Sequence, residues 1–276
     1  MDLLRLMDVA VAAARAAVDV QRRYIGTVRV ESWTEKAAAD FVTHVDEEAE
    51  AAAVATIRES FPHHDILAEE AAGAGTGSET GSDWLWIVDP LDGTTNYLHN
   101  YPSFSASVAV TRGGELLAGA VVSGVTGECW AASRGNGAFL DGRPIHVSAI
   151  SELRHALIGT GFPFRKLELL PGYLDQFAAV LPLVSGIRRA GSAAIDLCHV
   201  ATGLLDGFWE LYLAPWDIAA GSLIIREAGG VITTVDGGDD VLSGGGVVAG
   251  NPTIHGHLLR AIDHPERREP PDEVRV

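Results

Sequence analysis

The segment Trp84-Leu-Trp-Ile-Val-Asp-Pro-Leu-Asp-Gly-Thr-Thr-Asn96 constrains this chain more than any other. Trp84 to Val88 is a short apolar run rich in aromatic and β-branched residues and reads as a buried strand. The Pro90-Leu91-Asp92-Gly93 that follows is turn chemistry. Two carboxylates, Asp89 and Asp92, therefore stand at the carboxyl end of a strand. Behind them come Gly93, Thr94 and Thr95, a composition that lets backbone N–H groups close on an anion. Carboxylates beside a phosphate-sized nest point to a divalent cation between them. Taken as dipeptides alone, the same residues make an ordinary surface turn, which is their commoner meaning.

The rest of the chain supplies a scaffold. Leu3, Leu6, Ala10, Ala14, Ala17 and Val18 fall at helical spacing and predict a helix over residues 3–24. A second helix is predicted from about Asp46 to Ser60, and the Gly/Ser/Thr stretch Gly73 to Ser82 reads as a mobile loop. Strand patterns then crowd together at Ser105–Thr111, Leu116–Val122, Glu128–Ala132 and around the Asp141-Gly142 turn, which is an antiparallel meander. After residue 150 helices and strands alternate. Helices are expected near Gly172–Val184, Ala193–Thr202, Trp216–Glu227 and up to Ile262. Strands are expected at Gly186–Ala190, Gly207–Leu211, Val231–Thr233 and Gly246–Ala249. The charged, Pro-containing tail His264–Val276 is expected to be disordered. Residues 1–263 then form a single domain, with an antiparallel α+β half over about 1–150 and an α/β half over about 151–263.

Composition restricts the class of function. With 276 residues, 47% hydrophobic, the chain buries a large core. Its two cysteines, Cys129 and Cys198, offer no disulfide framework, and no run approaches the ~20 apolar residues of a membrane span. A reducing cytoplasm is the expected home, with no membrane. The net charge of −17 argues against direct nucleic-acid binding, which needs a basic footprint. It also conflicts with an anionic substrate, unless bound cations supply the positive charge that clustered carboxylates lack.

The string D-P-L-D-G-T-T-N-Y, Asp89 to Tyr97, resembles the signature of the inositol monophosphatase family of lithium-sensitive, magnesium-dependent phosphatases. Lys36 to Asp46 resembles its K-x-x-x-D-x-V-T-x-x-D element, Ala68-Glu69-Glu70 its G-E-E, and Pro215 to Gly221 its W-D-x-A-A-G. Gly191-Ser192-Ala193-Ala194 and Glu210 stand where the family has substrate-binding residues. Phe162-Pro163-Phe164 and Arg226 to Gly230 are similar to bacterial members. The resemblance runs from about residue 3 to 262 and implies a layered α-β-α-β-α sandwich of the inositol monophosphatase and fructose-1,6-bisphosphatase type, with the site in a cleft between its halves.

The roles follow from the resemblance. Glu69, Asp89 and the main-chain carbonyl of Leu91 would hold one Mg2+; Asp89, Asp92 and Asp217 a second; and a third, weaker ion would lie near Glu69. Li+ would inhibit by competing for one of these positions. Thr94, backed by Asp46, would orient and deprotonate the attacking water, with Glu69 also in the catalytic set. Gly93 and Thr94 would grip the phosphate, while Asp92, Gly191, Ser192, Ala193, Glu210 and Asp217 would face substrate. Local readings stay open beside these: Glu69-Glu70 as a solvated loop, Asp217 near a helix N-cap, Asp46 as a helix cap, Thr94 as a turn hydroxyl. Arg188 and Arg189 fit either a second phosphate or a structural ion pair. Lys36 fits either neutralisation of nearby carboxylates or a solvated surface charge, and His44, His63, His64 and His99 read as surface or loop residues.

The expected reaction is hydrolysis of a small-molecule phosphate monoester, with myo-inositol phosphate favoured because Thr95 stands where nucleotide bisphosphate and some histidinol phosphatases carry lysine. Fructose 1,6-bisphosphate, 3′-phosphoadenosine 5′-phosphate and histidinol phosphate remain alternatives. A regulatory binding protein with a secondary phosphatase activity is the alternative of another class. The family implies a homodimer. One departure is Ala68, where the family usually has the glycine of G-E-E, which removes backbone freedom but no ligand.

Overall fold

A computed structural model describes residues 2–29, 31, 33–37, 40–72 and 81–263, the side chains of 35–41 and 72 excepted. The segments 73–80 and 264–276, and the Lys36 side chain, lie outside that description. The chain opens with helix α1 (Leu3–Tyr24), capped by the Asp2 side chain on the Leu4 amide. A hairpin of β1 (Thr34–Ala37) and β2 (Asp40–Val42) leads into α2 (His44–Ser60), which starts in a capping box between Thr43 and Asp46. Then follow β3 (Asp65–Ala68), α3 (Glu69–Ala72), β4 (Trp84–Asp92), α4 (Thr94–Leu98), β5 (Ser105–Arg112), β6 (Glu115–Ser123), β7 (Cys129–Ser133), β8 (Ala138–Leu140) and β9 (Arg143–Pro144). The second half contains β10 (Leu157–Thr160), α5 (Leu170–Val180), β11 (Gly186–Arg188), α6 (Ala193–Ala201), β12 (Gly207–Leu213), α7 (Pro215–Glu227), β13 (Val231–Thr234), β14 (Gly245–Gly250) and α8 (Pro252–Asp263).

Five layers result. Helices α1 and α2 cover one face of a seven-stranded sheet ordered β3-β4-β5-β6-β7-β8-β9. Helices α6 and α7 fill the middle. On their far side lies a five-stranded sheet ordered β11-β10-β12-β14-β13, which α5 and α8 close from outside. Three apolar clusters occupy the interfaces, anchored by the fully buried Trp86, Trp130, Trp209, Tyr97 and Tyr173. Truncating such an aromatic costs about 3–5 kcal/mol. This is the expected α-β-α-β-α sandwich.

The structure departs from the sequence expectation in specific elements. The meander is antiparallel from β4 onward, but an unforeseen edge strand, β3, joins β4 in parallel. Strand β10, also unforeseen, lies inside the second sheet, parallel to both β11 and β12. Helix α5 ends at Val180, and Leu181-Pro182-Leu183 continues as a 3-10 turn in place of the helix expected to Val184. His64 is buried, not at the surface. It stacks between Phe61 at 4.6 Å and Trp84 at 5.0 Å, and its Nδ1 accepts the Trp86 Nε1–H at 3.1 Å.

Candidate active site

Strand β4 runs beyond Val88 through Pro90 to Asp92, and its pairing with β5 shifts register between Asp89↔Ser107 and Asp92↔Ser105. This bulge is decisive. A regular strand alternates its side chains with period two, which would send residues 89 and 92 to opposite faces. The bulge turns both carboxylates to one side and accommodates Pro90, which has no N–H for the ladder. Asp89 accepts the Leu91 amide at 3.0 Å, tightening the bend.

Asp92 is buried at the start of α6. It accepts the Ser192 hydroxyl at 2.5 Å and the Ala194 amide at 2.9 Å, with the Ser105 hydroxyl at 3.4 Å. Ser192, expected at the substrate, is fully buried as the N-cap of α6; its hydroxyl accepts the Ile195 amide, donates to Asp92 and meets the Ser105 hydroxyl. Asp217 is the third residue of α7 and accepts the Ala214 amide at 2.6 Å, with Pro215 opening the helix. The helix-capping reading of Asp217 and its place in the acidic cluster are thus compatible. Asp89, Asp92 and Asp217 each bring a carboxylate oxygen to within 4.8 Å of the others. Glu69 starts α3 directly after Ala68, whose register partner is Val88, so Glu69 lies beside Asp89 but outside that group of three.

Burial first, then the charges of Glu69, Asp92 and Asp217, push Asp89 well above the ordinary carboxylate range. Burial and Asp92 raise Asp217 to about 7, against the pull of the Ala214 amide. Burial raises Asp92 too, opposed by its bonds from Ser192 and the α6 amides. Carboxylates this close at neutral pH repel or share protons unless a cation stands among them. An all-oxygen donor set on a rigid strand end and helix start suits a hard divalent cation such as magnesium. The residues present therefore fit a metal.

Beside this cluster the Thr94 hydroxyl faces two acceptors, the Leu91 carbonyl at 3.0 Å and Asp46 Oδ1 at 3.4 Å. The other Asp46 oxygen takes the amide and hydroxyl of Thr43, each at 2.8 Å. Asp46 is buried, which raises its carboxyl to about 6. It caps α2 and meets Thr94 at once. Gly93 adopts φ +88°, and a Cβ there would lie 2.9 Å from the Ser103 carbonyl. Glycine is what allows this turn. Asn96 ties the turn to the second half by donating to the carbonyls of Ser103 at 2.7 Å and Ala190 at 2.8 Å.

A cavity of about 370 Å³ opens here, with Asp92, Gly93, Thr94, Ala193, Glu210 and Asp217 on its walls. Gly191 also lines it. A larger cavity of about 480 Å³ between α2 and β3 contains none of these residues. Chemistry selects the smaller one. Sequence reasoning missed its mouth, where Phe162, Phe164, Arg165 and Tyr212 line the wall. Phe162 and Phe164 had entered only as a motif shared with bacterial proteins, and an isolated Arg165 carries no signal. Both arginines are exposed: Arg189 lines the cavity with its guanidinium 5.0 Å from the Phe164 ring, and Arg188 donates to the Ile187 carbonyl. Asp196, buried on α6 beneath the site, was also missed; burial and Asp92 raise it to about 8.

Known proteins match over almost the whole chain. The model of the inositol monophosphatase family matches residues 2–266. "Nus factor SuhB" of Pseudomonas aeruginosa is 44% identical over 93% of this chain and 95% of its own. "Inositol-1-monophosphatase" of Mesorhizobium japonicum is 42% identical over 94% and 97%. The crystal structure of extragenic suppressor protein suhB from Bartonella henselae superposes with a TM-score of 0.88 at 39% identity, covering 94% of this chain and 98% of that one. Fold, motif order and full-length similarity agree, and the chain belongs to the inositol monophosphatase family.

Proposed function

We propose that the chain is a magnesium-dependent phosphate monoester hydrolase whose substrate is a myo-inositol monophosphate. The observation that carries this reading is the convergence of Asp89, Asp92 and Asp217 within 4.8 Å at the wall of a cavity that also holds Thr94 and Glu210. Glu69, Asp89, the Leu91 carbonyl, Asp92 and Asp217 would hold two to three Mg2+. When bound, magnesium supplies positive charge that neutralises the phosphate and eases loss of a proton from water. The Thr94 hydroxyl, aligned by Asp46, would orient the attacking water, with Asp46 and Glu69 as the bases that take its proton. Amides of Gly93 and Thr94 hold the phosphate. The water oxygen bonds to phosphorus, the ester P–O bond breaks, and the released alcohol takes up a proton.

Glu210, Asp92 and the Gly191-Ser192-Ala193 turn receive the leaving group, with Ser192 acting by fixing Asp92. A carboxylate acceptor favours a polyol, because an analogue without hydroxyls leaves it unpaired. The protein would work in the cytoplasm as a homodimer on a small-molecule ester and be inhibited by Li+. Phosphate release from myo-inositol 1-phosphate, fructose 1,6-bisphosphate, 3′-phosphoadenosine 5′-phosphate and histidinol phosphate, with and without Mg2+, tests the reading. A kcat/KM preference for the inositol ester that vanishes in Asp89→Asn is expected. Release from none of the four sinks it.

A second reading is supported by relatives that carry the name Nus factor SuhB: a regulatory binding role on the same fold. Retention of one macromolecular partner by the Asp89→Asn protein would favour it.

A further inference from the structure

Glycine at position 161 has a steric reason. Strands β10 and β12 run parallel with Thr160 beside Trp209, so the next pair along is Gly161 and Glu210. Gly161 follows the carboxyl end of β10, Glu210 stands in the middle of β12, and both line the cavity. A Cβ built on Gly161 would fall 2.0 Å from the Glu210 carboxyl carbon and 2.0 and 2.2 Å from its two oxygens. The Glu210 carboxylate therefore occupies the space that any other residue at 161 would fill.

Here the obstructing atoms are the far end of a flexible side chain, not backbone. A methyl group at 161 displaces the carboxylate and leaves the strands where they are. Glu210 also has reason to seek donors. It is half-buried on β12, and among the described residues no hydrogen bond reaches its carboxylate. An acceptor withdrawn from water without a partner is costly, and hydroxyl groups of a ligand relieve that cost. Its position against the Gly161 backbone seats it in the wall of the cavity of about 370 Å³.

We propose that Gly161 is a specificity-determining residue: by lacking a side chain it seats the Glu210 carboxylate at the cavity wall, where it selects polyol phosphates over esters without hydroxyls. This rests on the phosphatase reading above. Gly161 acts through Glu210 and is a positioning residue, not a catalytic one.

The test compares kcat/KM for myo-inositol 1-phosphate and for p-nitrophenyl phosphate in a double-mutant cycle of Gly161→Ala and Glu210→Asp, with melting midpoints for all four proteins. Gly161→Ala is expected to lower the ratio of the two kcat/KM values about tenfold or more, the size of a lost polar contact. In the Glu210→Asp background, whose shorter side chain clears the new methyl group, the same change is expected to leave the ratio within about twofold of its background value. A crystal structure of Gly161→Ala is expected to show the Glu210 carboxylate turned into the cavity. An unchanged ratio, an equal effect in both backgrounds, or an unmoved carboxylate overturns the inference while the phosphatase reading stands. A wild-type protein that hydrolyses neither ester overturns both.

Discussion

The Thr94 hydroxyl lies 3.4 Å from Asp46 Oδ1, joining a turn after β4 to the first turn of α2 across the edge of the acidic cluster. The opposite Asp46 oxygen is committed to Thr43, so the carboxylate cannot swing away without uncapping α2. Removing the hydroxyl in Thr94→Ala is expected to lower kcat about 10²-fold or more, the usual contribution of a positioned acid-base group. KM is expected to change little. An unaltered kcat in this variant ends the assignment of Thr94 and Asp46 to proton transfer.

Asp46 also sets an expectation for pH. Burial raises its carboxyl to about 6. It must be ionised to accept a proton, and bound cations favour the ionised form, so kcat at saturating Mg2+ should rise with pH along a limb that lies at or below about 6. Asp46→Asn should lower activity strongly across the whole range, and any residual activity should lack that limb. A limb that persists unchanged in an active Asp46→Asn protein assigns it to another group.

Stability should run against the common pattern for acidic residues. Asp46, Asp217 and Asp196 are raised from 3.8 to about 6, 7 and 8, all chiefly by burial. Between 3.8 and those values the folded state binds protons that the unfolded state has released. The metal-free protein therefore loses stability as pH rises through this window and regains it as pH falls. His64, His199 and His255 are lowered by burial and oppose this below 6.5. The acid-side gain should be clearest from pH 8 to 6.5. Melting in EDTA checks it, and a midpoint that drops over that interval contradicts it.

Asp89 faces the charges of Glu69, Asp92 and Asp217, which makes activity and stability separable. Asp89→Asn keeps shape but removes one charge from the cluster. The metal-free variant is expected to melt higher than wild type, at about 2–4 °C for each kcal/mol recovered. It should bind Mg2+ weakly and release no phosphate. Chelation of wild type should likewise abolish release, and restored Mg2+ should raise its melting midpoint far more than that of Asp89→Asn. A variant that melts lower without metal, or that turns over normally, contradicts the reading of this cluster.

Much of this was legible from the chain because several site residues carry their own local structure. Asp217 follows Pro215 at a helix start, and Asp46 follows Thr43 in a capping box, so motif and secondary structure coincide. What was not legible depends on partners far along the chain. The bulge from Asp89 to Asp92 exists only in the pairing with Ser105 and Ser107, and period-two reading ends the strand at Val88. Strand β10 is four residues, Leu-Ile-Gly-Thr, buried between parallel neighbours, where no alternation marks a strand. Its absence from the sequence reading hid the adjacency of Gly161 and Glu210. His64 looked like a loop residue because only Phe61, Trp84 and Trp86 make it a core one.

Gly93 and Gly142 separate conformational strain from steric conflict. Both have positive φ, +88° and +75°. A Cβ on Gly142 meets nothing within 4 Å, whereas on Gly93 it meets the backbone carbonyls of Ser103 at 2.9 Å and Gly191 at 3.2 Å. Gly142→Ala should therefore lose only the left-handed backbone penalty, about 1–2 kcal/mol. Gly93→Ala adds overpacking against backbone that cannot turn aside, about 1–3 kcal/mol more. Because Gly93 spaces Asp92 from Thr94, its strain is expected to reach the cluster and lower Mg2+ affinity. Gly142, in the turn between β8 and β9, should leave kcat and Mg2+ affinity unchanged. Chemical denaturation and Mg2+ titration of the two variants read both effects. Equal destabilisation by the two substitutions shows that the Ser103 and Gly191 carbonyls yield, and with them the rigidity assigned to the turn.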